Sequence, residues 1–212
     1  MPDKLPKIPK EFARRVTRCI VDSLIEQGSI DPRGKTEEQI FKEVWEINKT
    51  AEWALVTDHT KSWLERARQA AEENDLTSSV VFYAIWAEHQ INKMVESLGR
   101  RRKLSDELIE SLIFRTSLIE KFIWLQLVLT SKKPSDKTIK KLQRLNKFRN
   151  DYIHYKWKPK KDTEKDQLKN VVSDAEKLIV ELRAFLNLHF FHNQKKRVAS
   201  LFSKRARRKL KA

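Results

Sequence analysis

The sequence predicts an all-α fold, and three observations carry that expectation. Apolar residues recur at alternating spacings of three and four through most of the chain, the period of a helix buried along one face. Several of these stretches follow a helix-start pattern, a Ser or Thr with acids or a Gln close behind. Turn formers are scarce: there are 3 glycines and 6 prolines in 212 residues, little material for the hairpins of a β-sheet. With 40% hydrophobic and 35% charged residues, the chain is too rich in large apolar side chains to be disordered throughout. Its length suits one substantial domain plus an appendage, or two small domains, and one core is the simpler reading.

Taken in order, residues 1–9 carry three prolines and three charges and read as an extended leader. A helix is expected over residues 10–27, ended by Gly28, Pro32 and Gly34. Thr36 and Gln39 form a capping-box pattern ahead of a second helix with Ile40, Val44, Ile47, Ala51 and Leu55 on one face. It continues, after a break expected near residues 58–60, through Trp63, Leu64, Ala67 and Ala71. The polar stretch 72–75 precedes a helix whose stripe is Val81, Ala84, Glu88, Ile91, Val95 and Leu98. After the basic turn 100–103, Ser105 with Asp106 and Glu107 opens a helix expected to run to about Thr130. Its apolar run 112–129 is interrupted by Arg115, Glu120 and Lys121, so it reads as a core helix and not as a bilayer span. Pro134, Ser135 and Asp136 mark the next start, and Ile139, Leu142, Leu145, Phe148, Tyr152 and Ile153 give that helix its apolar face. Thr163 and Glu164 open a last long helix with a core stripe from Leu168 to Leu186, which His189 continues.

Two places on this scaffold carry chemistry. Glu88 sits on an apolar stripe, where an unpaired carboxylate is expensive. It should have a cationic partner or face a shared cleft, unless it lies at the stripe's edge in water. Asn92 follows one turn later on the same side. The second place is Arg149-Asn150-Asp151-Tyr152-Ile153-His154. Arginine grips a phosphate with two prongs, and histidine titrates near neutral pH, a pairing suited to phosphodiester chemistry.

Arg149 to His154 resembles the R-x4-6-H signature, in its R-N-x3-H form, of the HEPN (higher eukaryotes and prokaryotes nucleotide-binding) superfamily, many of whose members are metal-independent ribonucleases. The resemblance implies a HEPN-like helical bundle over residues 61–194; it says little about residues 1–60, where the periodicity gives additional N-terminal helices, and the charge pattern gives a basic C-terminal tail over residues 195–212. The resemblance implies an endoribonuclease of the toxin or antiviral-defence kind. His154 is then general base or acid at the ribose 2′-hydroxyl, Arg149 stabilises charge on the phosphate, and Asn150 and Glu88 position substrate and side chains. No metal or other cofactor is needed. A homodimer is implied, with an antitoxin or regulatory protein as a further partner. A second pair, Arg183 and His189, fits R-x5-H but lacks the asparagine, and a histidine there reads as a core or interface residue. The reading from a different class is a non-catalytic nucleic-acid-binding or assembly module.

At 100° per residue Arg149 lies inside the apolar arc of its helix and His154 about 140° away. A regular helix does not aim both at one phosphate, so either the helix end near residues 156–159 is distorted or a second copy completes the site. Asn150 and His154, four apart, share a side.

The formal charge of +16 is unevenly placed: residues 194–212 hold nine of the 45 basic residues and none of the 29 acidic ones. Such a segment is expected to bind a polyanion, RNA first, through Lys204, Arg205, Arg207 and Arg208 among others. Val198, Leu201, Phe202 and Leu210 interleave with these charges, so an amphipathic helix on a membrane or partner, or a solvated tail, are the alternatives. Lys156, Lys158, Lys160 and Lys161, interleaved with Tyr155 and Trp157, add charge and stacking surface beside the motif. The single cysteine, Cys19, forms no internal disulfide or zinc site and is expected as a buried reduced thiol. The first residues lack the apolar core of a secretion signal, and a cytoplasmic location is expected.

Overall fold

The computed structural model describes residues 10–50, 60–153 and 163–201. Among these residues every regular element is a helix, as expected: α1 (Lys10–Glu26), α2 (Glu37–Thr50), α3 (Thr60–Glu72), α4 (Leu76–Arg101), α5 (Asp106–Arg115), α6 (Leu118–Thr130), α7 (Asp136–Ile153), α8 (Thr163–Phe191) and α9 (Lys195–Leu201). None is long and apolar enough to cross a membrane. The chain forms two compact units, one of residues 54–186 and one of residues 1–53 with 187–212.

The larger unit is arranged around α4. Asp75 caps this helix by accepting the backbone N–H of Ser78, one of the donors a helix start leaves unpaired. Val80, Tyr83, Ala84, Trp86, Ala87, Ile91, Met94, Val95 and Leu98 are all buried, more of the circumference than a single stripe, which marks a central helix. It packs against α3, α5, α6 and α7.

Tyr83 cannot be buried without a partner for its hydroxyl. It donates to Glu176 Oε1 on α8 at 2.6 Å, and Arg68 on α3 grips the same carboxylate through Nε at 2.8 Å and Nη2 at 2.9 Å. Three helices thus share one carboxylate. Burial, with the bond to Glu176 second, pushes the Tyr83 phenol up; the Arg68 bond holds the Glu176 carboxyl below its usual range. On the other side of α8, Glu181 accepts from buried Lys141 and from Thr138, tying α7 to α8.

The single helix expected from Ser105 to Thr130 is two helices. Thr116 is extended (φ −104°, ψ 147°), and Ser117 starts α6 with a capping box: its side chain accepts from Glu120 N, and the Glu120 carboxylate accepts from Ser117 N at 2.8 Å. Local bonding to the Ser117 backbone replaces helical continuity. In α6, Leu118, Lys121, Phe122 and Leu125 are buried.

α5 reaches α4 at Gly99. A β-carbon there would lie 2.6 Å from Ile109 Cγ1 and 2.9 Å from Cδ1, so the helices approach this closely only because residue 99 has no side chain.

In the smaller unit α1 buries Val21, Leu24 and Ile25. Gly28 ends it at φ 76°, with Ser29 N donating to Leu24 O, a left-handed stop that glycine adopts without penalty. Cys19 is exposed, contrary to the expected buried thiol, because at helical spacing it falls opposite the buried stripe. The Thr36–Gln39 capping box forms in both directions, at 2.7 and 3.2 Å. The first residues of the expected tail form α9 instead: Val198 is fully buried, and Arg197 donates to the carbonyls of Pro32 and Lys35.

Gly99→Ala should lower stability by about 1–2 kcal/mol, since overpacking outweighs the gain in helix propensity. In an Ile109→Ala background the same substitution should be neutral or stabilising, as read by urea denaturation of all four proteins.

Candidate active site

Polar side chains from α4, α6 and α7 meet along one edge of α4. The Arg149 guanidinium on α7 approaches Glu88 Oε2 on α4 at 3.4 Å through Nη2, and its Nη1 donates to Asn150 Oδ1 at 3.0 Å. Helical side chains tilt toward the helix start, so Arg149 reaches back along α7. Phe148 and Tyr152 instead border a shallow apolar dent with Thr77, Val80 and Val81, near the start of α4. Both members of the ion pair are partly open to water, at 30% and 34% side-chain exposure. The Arg149 Nε is buried and has no hydrogen-bond partner among the described residues.

Glu88 therefore lies at the edge of the α4 stripe and also has a cationic partner. The apolar period alone places it slightly too deep: Trp86, Ala87 and Ile91 are buried around it, while Glu88 itself is half-buried.

The member that sequence reasoning missed is Lys121 on α6, which is only 4% exposed. Its Nζ donates to Asn92 Oδ1 at 2.8 Å. Burial pulls its pKa down, and the charge of Glu88 pulls it back up. A signal was present: Lys121 occupies a turn whose neighbours Leu118, Phe122 and Leu125 all face the core, so its stem had to run inward. The site therefore holds one carboxylate, two cations and two amide side chains. Arginine with free donors beside a carboxylate can exchange that partner for a phosphate, an acceptor of like charge and similar geometry.

His154, Lys156, Lys158, Lys160 and Lys161 lie outside the described residues, as do Lys204, Arg205, Arg207 and Arg208. Of the expected catalytic set, Arg149, Asn150 and Glu88 come together. The Arg183 guanidinium lies over the Trp86 ring, 5.8 Å from its centre, and burial, with the charge of His192 second, holds His189 below the usual histidine range.

Replacing Glu88 with Ala and Arg149 with Met, singly and together, should give a coupling of roughly 0.5–1 kcal/mol in chemical denaturation, the range for a pair partly open to water. Strictly additive losses would mean that the pair does not form in solution.

No family model matches the chain, and neither the curated proteins nor the solved structures contain a significant match to it.

Proposed function

We propose that this chain is a metal-independent endoribonuclease of HEPN type, a toxin or antiviral-defence effector of the cytoplasm. RNA is its substrate, and an antitoxin or regulatory protein is a partner. The observation that carries the reading is the meeting of the adjacent Arg149 and Asn150 with Glu88, some 60 residues earlier, three residues that suit one chemistry.

In this reaction the ribose 2′-oxygen attacks the adjacent phosphorus while the bond to the 5′-oxygen breaks, leaving a 2′,3′-cyclic phosphate and a 5′-hydroxyl. One group takes the 2′-hydroxyl proton and another protonates the leaving oxygen. His154 fills one of these roles, and Arg149 stabilises charge on the non-bridging oxygens. Asn150 orients Arg149 and, four residues before His154, faces the same substrate.

A single motif supplies one histidine, and a two-fold homodimer with the motifs facing one cleft supplies two. The surface of α6 supports such a partner: Leu127 is exposed and Ile123, Trp124 and Val128 are only half-buried, an apolar face on the helix that carries Lys121.

Purified protein should cleave labelled RNA in EDTA to products ending in cyclic phosphate. His154→Ala and Arg149→Ala should each abolish cleavage with helicity intact, and excess His154→Ala chains should poison the wild type by subunit exchange. An inactive wild-type protein that still binds RNA would identify a binding or assembly module instead.

Removing residues 203–212 leaves α9 and buried Val198 in place while deleting Lys204, Arg205, Arg207 and Arg208 with two further lysines. RNA affinity should fall, and its logarithmic salt dependence should flatten by about 0.7 for each phosphate no longer neutralised. Turnover at saturating RNA should be retained.

A further inference from the structure

We propose that Lys121 is a positioning residue of this site, the second counter-ion that holds the Glu88 carboxylate while the Arg149 guanidinium leaves it for a phosphodiester. The proposal rests on the ribonuclease reading.

Among the described residues of the larger unit two lysines are buried, and their partners differ. Lys141 makes a direct ion pair with Glu181, whose other oxygen accepts from Thr138. That arrangement is a closed structural link between α7 and α8. Lys121 is buried as deeply, yet the hydrogen bond of its ammonium is to the neutral amide of Asn92. An amide alone is poor compensation for removing an ammonium from water. The balancing charge is Glu88, one helical turn before Asn92 on the same face of α4 and therefore within about 6 Å of it.

Glu88 is thus shared between two cations on different helices, Lys121 from α6 and Arg149 from α7. The sharing is unequal. Lys121 is enclosed and anchored by Asn92, whereas Arg149 is partly exposed, holds Glu88 by one contact at 3.4 Å and keeps an unpartnered Nε. When a phosphate arrives, Arg149 is the cation free to turn, and Lys121 keeps the carboxylate it leaves behind from becoming an unpaired charge. Without Lys121, Arg149 would be the only counter-ion of Glu88 among the described residues, and its turning to RNA would leave that half-buried carboxylate without either of them.

Two measurements test this. The first needs no RNA: the titration of Lys121 is followed by NMR of lysine-labelled protein. Its midpoint should lie below the ordinary lysine range and fall further in Glu88→Gln, because the raising charge has been removed. An unchanged midpoint overturns the proposal, whatever the protein does to RNA. The second is a kinetic cycle. Lys121→Met, which keeps the stem and removes the charge, should lower kcat about tenfold with KM within about threefold, since Lys121 itself does not touch RNA. In a Glu88→Gln background the same substitution should change kcat by less than about twofold, because no carboxylate remains to be held. Equal losses in both backgrounds mean that Lys121 is merely structural, and the proposal fails. Should Lys121→Met not fold, Asn92→Ala releases the same ammonium, and a smaller loss of about threefold, again absent with Glu88→Gln, is expected. A wild-type protein that cleaves no RNA removes the positioning role along with the ribonuclease reading, while the titration still reports separately on the Lys121–Glu88 coupling.

Discussion

The larger unit depends on one constraint: α4 is buried around most of its circumference, so polar side chains on its packed stretch, Glu88 and Asn92, rely on partners that other helices bring. Trp86, Ala87, Ile91 and Met94 leave Glu88 and Asn92 a narrow polar edge. That edge meets α6 through Lys121 and α7 through Arg149. The interruption at Thr116 and Ser117 follows the same logic, because α6 starts afresh there and presents Lys121 among Leu118, Phe122 and Leu125. The polar cluster is therefore a place where the packing of three helices is decided.

Its incompleteness separates it from the other polar links. Glu176 accepts from Arg68 and Tyr83, and Glu181 from Lys141 and Thr138, so both oxygens of each carboxylate are engaged. A satisfied network in a low-dielectric setting rigidifies a core. Among the described residues the donors around Glu88 outnumber the acceptors, and Arg149 Nε is left over. An excess of positive donors in a partly open place is an anion-seeking arrangement, which helix packing alone does not require.

Much of this was legible in the sequence where the signal was local. Helix starts at Thr36, Asp75, Ser105 and Ser135 follow from capping chemistry written within four residues, and each forms its side-chain bond. The break before α6 is equally readable as Ser117-x-x-Glu120, but the largely apolar stretch 112–129 spans it and argues for one helix. Glu88 was identifiable because a carboxylate on an apolar stripe demands a partner. Lys121 is hidden for the opposite reason: as one of several charges interrupting a hydrophobic run, it argues against a membrane span, and its burial depends on which side of α6 faces α4. At the C-terminal end Val198, interleaved with basic residues, marks an amphipathic helix, but the bonds of Arg197 depend on residues some 160 positions earlier, which no local pattern reveals.

That last connection bears on how the protein is made. The smaller unit joins residues 1–53 to residues 187–212, and the clasp of Arg197 on Pro32 and Lys35 needs both parts. During synthesis α1 and α2 leave the ribosome before their partner, which lies some 160 residues further along the chain. Residues 54–186, by contrast, contain their own core and can collapse as soon as α8 is available, since domains fold as units while the chain lengthens. The order of assembly thus runs against the order of translation, and α1 and α2 wait through the synthesis of residues 54–186 for the segment that completes them.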